Sequence, residues 1–222
     1  MIARLKSSAP FFAHLRLCAK YFSVPRARND YSTHLPILIG LARTREIRRV
    51  LEFGCGHYST LTFLNRSAFP RLERLESIEN DISWAEAIRE AARSDDRWML
   101  KIVDNHIRDS VADLDLEQFD LILIDDSKTS EQRAATIRAV AHQRPQHPWI
   151  VIHDYEVDEY RAAATAFKYR YAFKSYNPQT GIVSNRPLNE AKSLDRFVKT
   201  NSQRLPSDDI HGWLRASCNP GA

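Results

Sequence analysis

Residues 48–64 read RRVLEFGCGHYSTLTFL, and the fold turns on this stretch. Val50, Leu51 and Phe53 make an apolar run that stops at Gly54-Cys55-Gly56. Helical periodicity restarts near Ser59 and Thr60. That is the strand, tight loop and helix that open a nucleotide-binding βαβ unit. Glycines in such a loop let the backbone approach a ligand with no Cβ between them. The helix start adds unpaired N–H groups and a partial positive charge. Glu52 is the distinguishing residue. A carboxylate at the end of the first strand repels a pyrophosphate and attracts a cationic ammonium group, so it points away from a dinucleotide.

Working outward, apolar runs predict further strands over 72–78, 98–103, 119–124 and 149–152. Helical patterns follow at 82–93, 128–142 and 160–167. The run FDLILI at 119–124 lacks alternation, as a central parallel strand covered on both faces should. Residues 169–176 and 181–184, joined around Asn177-Pro178, read as an antiparallel hairpin. The expected fold is therefore α/β and Rossmann-like. It is doubly wound around a mostly parallel seven-stranded sheet, with a C-terminal antiparallel hairpin. Two helices, over 11–22 and 34–42, precede the first strand, and Pro36 suits the first turn of the second. The expected organisation is an N-terminal helical extension (1–44), a core (45–186) and a polar tail (187–222). Within the tail, 188–198 can form a helix.

The chain has 222 residues, 43% hydrophobic and 27% charged, with net charge +4, enough for one full core. Much of the positive charge leads the chain: Arg4, Lys6, Arg16, Lys20, Arg26 and Arg28 precede the first acid, Asp30. A solvated helix face accounts for this, and an anionic partner is the sharper reading. No apolar run approaches the roughly 18 residues of a membrane span. Three scattered cysteines and no secretory signal pattern fit a reducing cytoplasm. No nucleic-acid recognition motif is present. Nothing in the sequence sets an oligomeric state.

The segment LEFGCG resembles the first motif of the class I S-adenosylmethionine (SAM)-dependent methyltransferases, with Tyr58 where the fuller pattern carries a third glycine. Tyr31-Ser32-Thr33-His34, and Ile78-Glu79-Asn80-Asp81 with Trp84, are similar to an O-methyltransferase-like subgroup. The resemblance spans about residues 31–184. It implies SAM as cofactor, with Glu52, Gly54, Gly56 and Ser59 about its methionine end and Asp104, or Asn105 beside it, at its adenine. Glu79 follows Gly56 by about 20 residues, where a dinucleotide-type fold places an acid for the ribose hydroxyls. Its two oxygens can take both hydroxyls. The resemblance also implies that Tyr31–His34 lies close to the cofactor, which gives His34 a functional reading beside the plainer one of capping or packing a helix start.

Two acid clusters end the central strands: Asp125-Asp126-Ser127 and His153-Asp154-Tyr155. Open α/β sheets hold their ligands there. Methyl transfer from a sulfonium to a hydroxyl needs alignment and removal of the acceptor's proton. His153 can act as base with a neighbouring acid orienting it. Alternatively, Asp125 and Asp154 hold Mg²⁺, which lowers the hydroxyl's pKa. This resembles metal-dependent O-methyltransferases, except that Tyr155 stands where their third ligand is Asn. Asp125, His153 and Asp154 are thus the expected catalytic residues, and Asp125 also borders the cofactor. The expected activity is methyl transfer to a hydroxyl of a small-molecule or sugar-like acceptor. The competing readings are a nicotinamide-dependent oxidoreductase and a non-catalytic SAM-binding module.

Overall fold

Leu121–Ile124 has no polar residue, and all four side chains are buried. They divide between two cores: Leu121 and Leu123 join one hydrophobic cluster, Ile122 and Ile124 the other. This is the period-2 geometry of a strand covered on both faces. The computed structural model describes residues 24–25, 29–92, 94–126 and 129–203. The helix expected over 11–22, the basic N-terminal arm, Cys18, Cys218 and Ser127 lie outside the described residues.

Seven strands form the main sheet: β1 Arg49–Phe53, β2 Arg74–Glu79, β3 Trp98–Ile102, β4 Leu121–Ile124, β5 Trp149–His153, β6 Tyr169–Phe173 and β7 Thr180–Ser184. Their spatial order is β3-β2-β1-β4-β5-β7-β6. The first five are parallel, and β7 runs antiparallel to both its neighbours. This is the expected Rossmann-like sheet with a reversed last strand. The order reverses between β1 and β4, which opens a crevice at their carboxyl ends. The second strand starts two residues later than its apolar pattern suggests, because Arg74 pairs with Arg49. That register makes Glu79 itself the last strand residue.

The helices are α1 Leu35–Thr44, α2 Ser59–Leu64, α3 Ile82–Ala92, α4 Ser130–His142, α5 Asp158–Ala164 and α6 Ala191–Asn201. One face of the sheet is covered by α1, α2 and α6, the other by α4 and α5. Helix α6 presents Ala191, Leu194 and Val198 at helical spacing and packs them on α1. Gly40 allows the close approach, since a Cβ there would lie 2.8 Å from Val198 Cγ2. Val24–Pro25 also pairs in parallel with Ser202–Gln203. The described residues before 45 and after 187 therefore meet on one side of the core.

Candidate active site

At the end of β1 the chain turns through Gly54 at φ +86°, a conformation that glycine alone adopts at low cost. A Cβ there would lie 2.6 Å from the Asp125 carbonyl oxygen and 2.7 Å from the Asp126 Cα. The ends of β1 and β4 thus touch backbone to backbone. Below this loop Glu52 is fully buried. Its Oε2 accepts hydrogen bonds from Thr60 Oγ1 at 2.7 Å and Ser77 Oγ at 2.6 Å, and Ser59 bonds to it as well. Burial pushes its pKa up to about 7 against the opposing pull of those hydroxyls. Glu52 and Ser59, both expected at the cofactor, are turned inward. Together they brace β1, β2 and α2 beneath the loop. Gly56 donates its N–H to Thr60 Oγ1 at 2.9 Å.

Glu79 ties the loop to β2. One carboxylate oxygen accepts from the Cys55 N–H at 3.1 Å, the other from the N–H groups of Asn80 and Asp81 at 2.8 and 2.9 Å. Trp84 Nε1 donates to the Cys55 carbonyl at 2.6 Å, and His57 stands edge-on against Trp84. Asp104 lies exposed just past β3, where the Val103 N–H bonds to the Glu79 carbonyl at 2.9 Å. Loop 54–56, Glu79 and Asp104 therefore share one rim of the sheet.

The second group is set by strand register. Ile124 pairs with Ile152, so the next residues, Asp125 and His153, stand side by side. His153 Nδ1 lies 3.2 Å from Asp125 Oδ1, and Nε2 lies 2.8 Å from Thr33 Oγ1. Thr33 gives its hydroxyl hydrogen to the Asp30 carbonyl. His34, just before α1, stacks edge-on against His153 with ring centroids 4.6 Å apart. Asp126 takes the opposite face and accepts from Thr136 Oγ1 at 2.7 Å, so it leaves the cluster its neighbour joins.

Arg133, on α4, links the two acid clusters. It reaches Asp125 Oδ1 at 3.0 Å, Asp154 Oδ2 at 2.8 Å and the Asp126 carbonyl at 2.6 Å, with its guanidinium over the Tyr160 ring. Asp154 sits at φ +54°, a conformation Asp tolerates better than most residues. Burial alone would raise the Asp125 pKa, but His153 and Arg133 outweigh it and hold the carboxyl well below its usual range. Burial alone would lower the His153 pKa, and the charge and hydrogen bond of Asp125 raise it instead. His34 is different: burial, with His153 beside it, lowers its pKa to about 3, so it stays neutral.

The Mg²⁺ site expected on Asp125 and Asp154 does not fit these residues. The guanidinium of Arg133 already bonds to both carboxylates and takes the place between them that a shared Mg²⁺ would need. Tyr155, at the third-ligand position, is buried with its ring against Gly181. Arg133 escaped the sequence reading, and Thr33 entered it only within the segment Tyr31–His34, with no role of its own. For Arg133 a signal was present, since it lies one residue before Ala134 and four before Ile137, among the residues that α4 buries. A cavity of about 400 Å³ lined by Arg45, Asp120, Trp149 and Arg186 lies at the opposite ends of the strands, away from both groups.

Residues 51–155 match the family model described as a methyltransferase domain. No curated protein aligns significantly with the sequence. Among solved structures, the chain is similar to the S-adenosylhomocysteine (SAH)-bound methyltransferase PaMTH1 of Podospora anserina. The identity is 16% and the TM-score 0.57, over 84% of this chain and 100% of that one. Human methyltransferase-like protein 13 in complex with SAH shares 18% identity at TM-score 0.55, over 81% and 96%. The O-methyltransferase TomG of Streptomyces achromogenes, in complex with SAM, shares 19% at TM-score 0.50, over 69% and 81%. At such identities the likeness is one of fold. Residues 51–155 thus match a methyltransferase-domain model, and the chain has the fold of the SAM- and SAH-bound methyltransferases it is similar to.

Proposed function

We propose that this protein transfers the methyl group of SAM to an oxygen of a small hydroxylated or sugar-like acceptor, in the reducing cytoplasm. The observation that carries the reading is the Asp125–His153 pair, 3.2 Å apart at the ends of β4 and β5, across the crevice from the Gly54 loop. In this reading loop 54–56, Glu79 and Asp104 hold the cofactor, and Glu52 acts from beneath by fixing the loop. The cofactor supplies an electrophilic methyl on a sulfur that leaves readily. The protein then needs only to align the acceptor and take its proton. His153, in its neutral form, takes that proton, and Asp125, 3.2 Å from its Nδ1, stabilises the imidazolium that results. Arg133 positions Asp125 and Asp154 by bonding to both. The O-methyltransferase TomG, on a similar fold, supports oxygen as the accepting atom.

The test is calorimetric titration of the full chain with SAM, SAH and NADH, each with and without Mg²⁺. Binding of SAM and SAH, unchanged by Mg²⁺, is expected. Tight NADH binding with none of SAM would replace this reading with an oxidoreductase. SAM binding with no methyl transfer to any of a panel of phenols, catechols and sugars would leave a binding module.

A further inference from the structure

We propose that His34, Asp125 and His153 form a binding site for a transition-metal dication of the Zn²⁺ or Co²⁺ type. The site is distinct from the two-carboxylate Mg²⁺ site considered above, and metal binding here goes beyond the methyl-transfer reading. The first observation is His34 itself. Its side chain is 1% exposed, and neither ring nitrogen has a hydrogen-bond partner. Leaving a buried polar group unsatisfied costs on the order of 1–3 kcal/mol, and a neutral imidazole always offers both a donor and a lone pair. One donor atom each from His34, Asp125 and His153 lies within 4.8 Å of the others.

The second observation is the placing of His153. Its Nδ1 lies 3.2 Å from both carboxylate oxygens of Asp125, and its Nε2 lies 2.8 Å from Thr33 Oγ1 and 3.6 Å from Asp154 Oδ1. The first separation is close to the edge of a tetrahedron of ligands about 2.0 Å from a metal. A ligating histidine usually holds a neighbouring oxygen through its other ring nitrogen, as His153 Nε2 does with Thr33. Arg133 bonds to Oδ1 of Asp125, on the side away from Oδ2. Two imidazoles and one carboxylate favour borderline transition metals over Mg²⁺, which prefers oxygen ligands. His34 stands outside the sheet, so the segment ahead of α1 would become part of the metal centre.

The experiment uses the full chain after chelator treatment. Co²⁺ is titrated in while its visible d–d absorption is followed, with Zn²⁺ and Mg²⁺ as competitors. One equivalent of Co²⁺ is expected to bind, displaced by Zn²⁺ and not by Mg²⁺. His34→Ala, and the more conservative His34→Gln, should each weaken it at least tenfold, while Asp154→Asn should leave it within a few-fold. Absence of a stoichiometric Co²⁺ complex in the wild-type chain overturns the proposal whether or not the variants fold. So does binding that survives both His34 substitutions. SAM titration of the same samples separates this outcome from any failure of the methyltransferase reading.

Discussion

Glu52 is the residue whose role changed most between sequence and structure. Read on the page, it is an acid at a strand end, free to meet a cationic ligand. In the fold it shares the Val50 face of β1, and its carboxylate is enclosed by Ser59, Thr60 and Ser77. A consequence follows for stability. An unfolded glutamate ionises near 4.5, whereas Glu52 holds its proton to about pH 7 in the folded chain. Between these values the native state binds the extra proton, so stability falls as pH rises through the window, by roughly 3 kcal/mol in all. Glu52→Gln should remove that decline. Denaturant unfolding of both proteins at pH 5 and pH 8 reads it, and a wild-type-to-variant difference that does not move with pH would refute it. Gly54 makes a second test. Gly54→Ala forces a left-handed alanine against the backbone of Asp125 and Asp126, 2.6 and 2.7 Å away. A loss of about 2–4 kcal/mol is expected in the same unfolding experiment.

At the scale of elements, the hydrophobic runs marked the strands because β4 and β5 are buried on both faces, and a buried parallel strand needs no polar residue. Strand ends were legible for the same reason, and with them Asp125, His153 and Glu79. Contacts made across the sheet were not. Arg133 arrives from α4 and Thr33 from ahead of α1, and no local spacing in the sequence ties either to a strand end. Asp125 was the acid expected at the site, and the alternation that follows β4 sends it to His153 and Asp126 to Thr136. Helix α6 was the faintest signal, since only Ala191, Leu194, Phe197 and Val198 interrupt a polar surface. Its contribution is measurable. Leu194 is 4% exposed and packs against the Gly40 position of α1. Leu194→Ala should therefore cost about 2–5 kcal/mol, as a core leucine does. A change under about 0.5 kcal/mol in urea unfolding would mean that α6 is a surface attachment.

For the whole molecule, the sheet order separates two tasks in space while keeping them within one crevice. The ends of β1, β2 and β3 carry loop 54–56, Glu79 and Asp104. The ends of β4 and β5 carry Asp125, His153 and Asp154. The two rims join where Gly54 meets the Asp125 backbone. If the first rim binds the cofactor and the second removes the acceptor's proton, their variants should fail differently. A ligand that binds only the folded state at a hundred times its Kd stabilises it by about 2.7 kcal/mol. In a chain of this size that raises the melting temperature by roughly 5–10 °C. Glu79→Ala removes an acid whose oxygens hold the N–H groups of Cys55, Asn80 and Asp81, and it should abolish the rise produced by SAH. His153→Gln should keep the rise, measured against its own ligand-free melting, and lower methyl transfer by about 10²–10⁴-fold, the scale of a lost general base. Because each variant is compared with itself, its own change in stability cancels. If both variants lost the SAH response together, the two rims would be one site, and the proton-transfer role assigned to His153 would have to be given up.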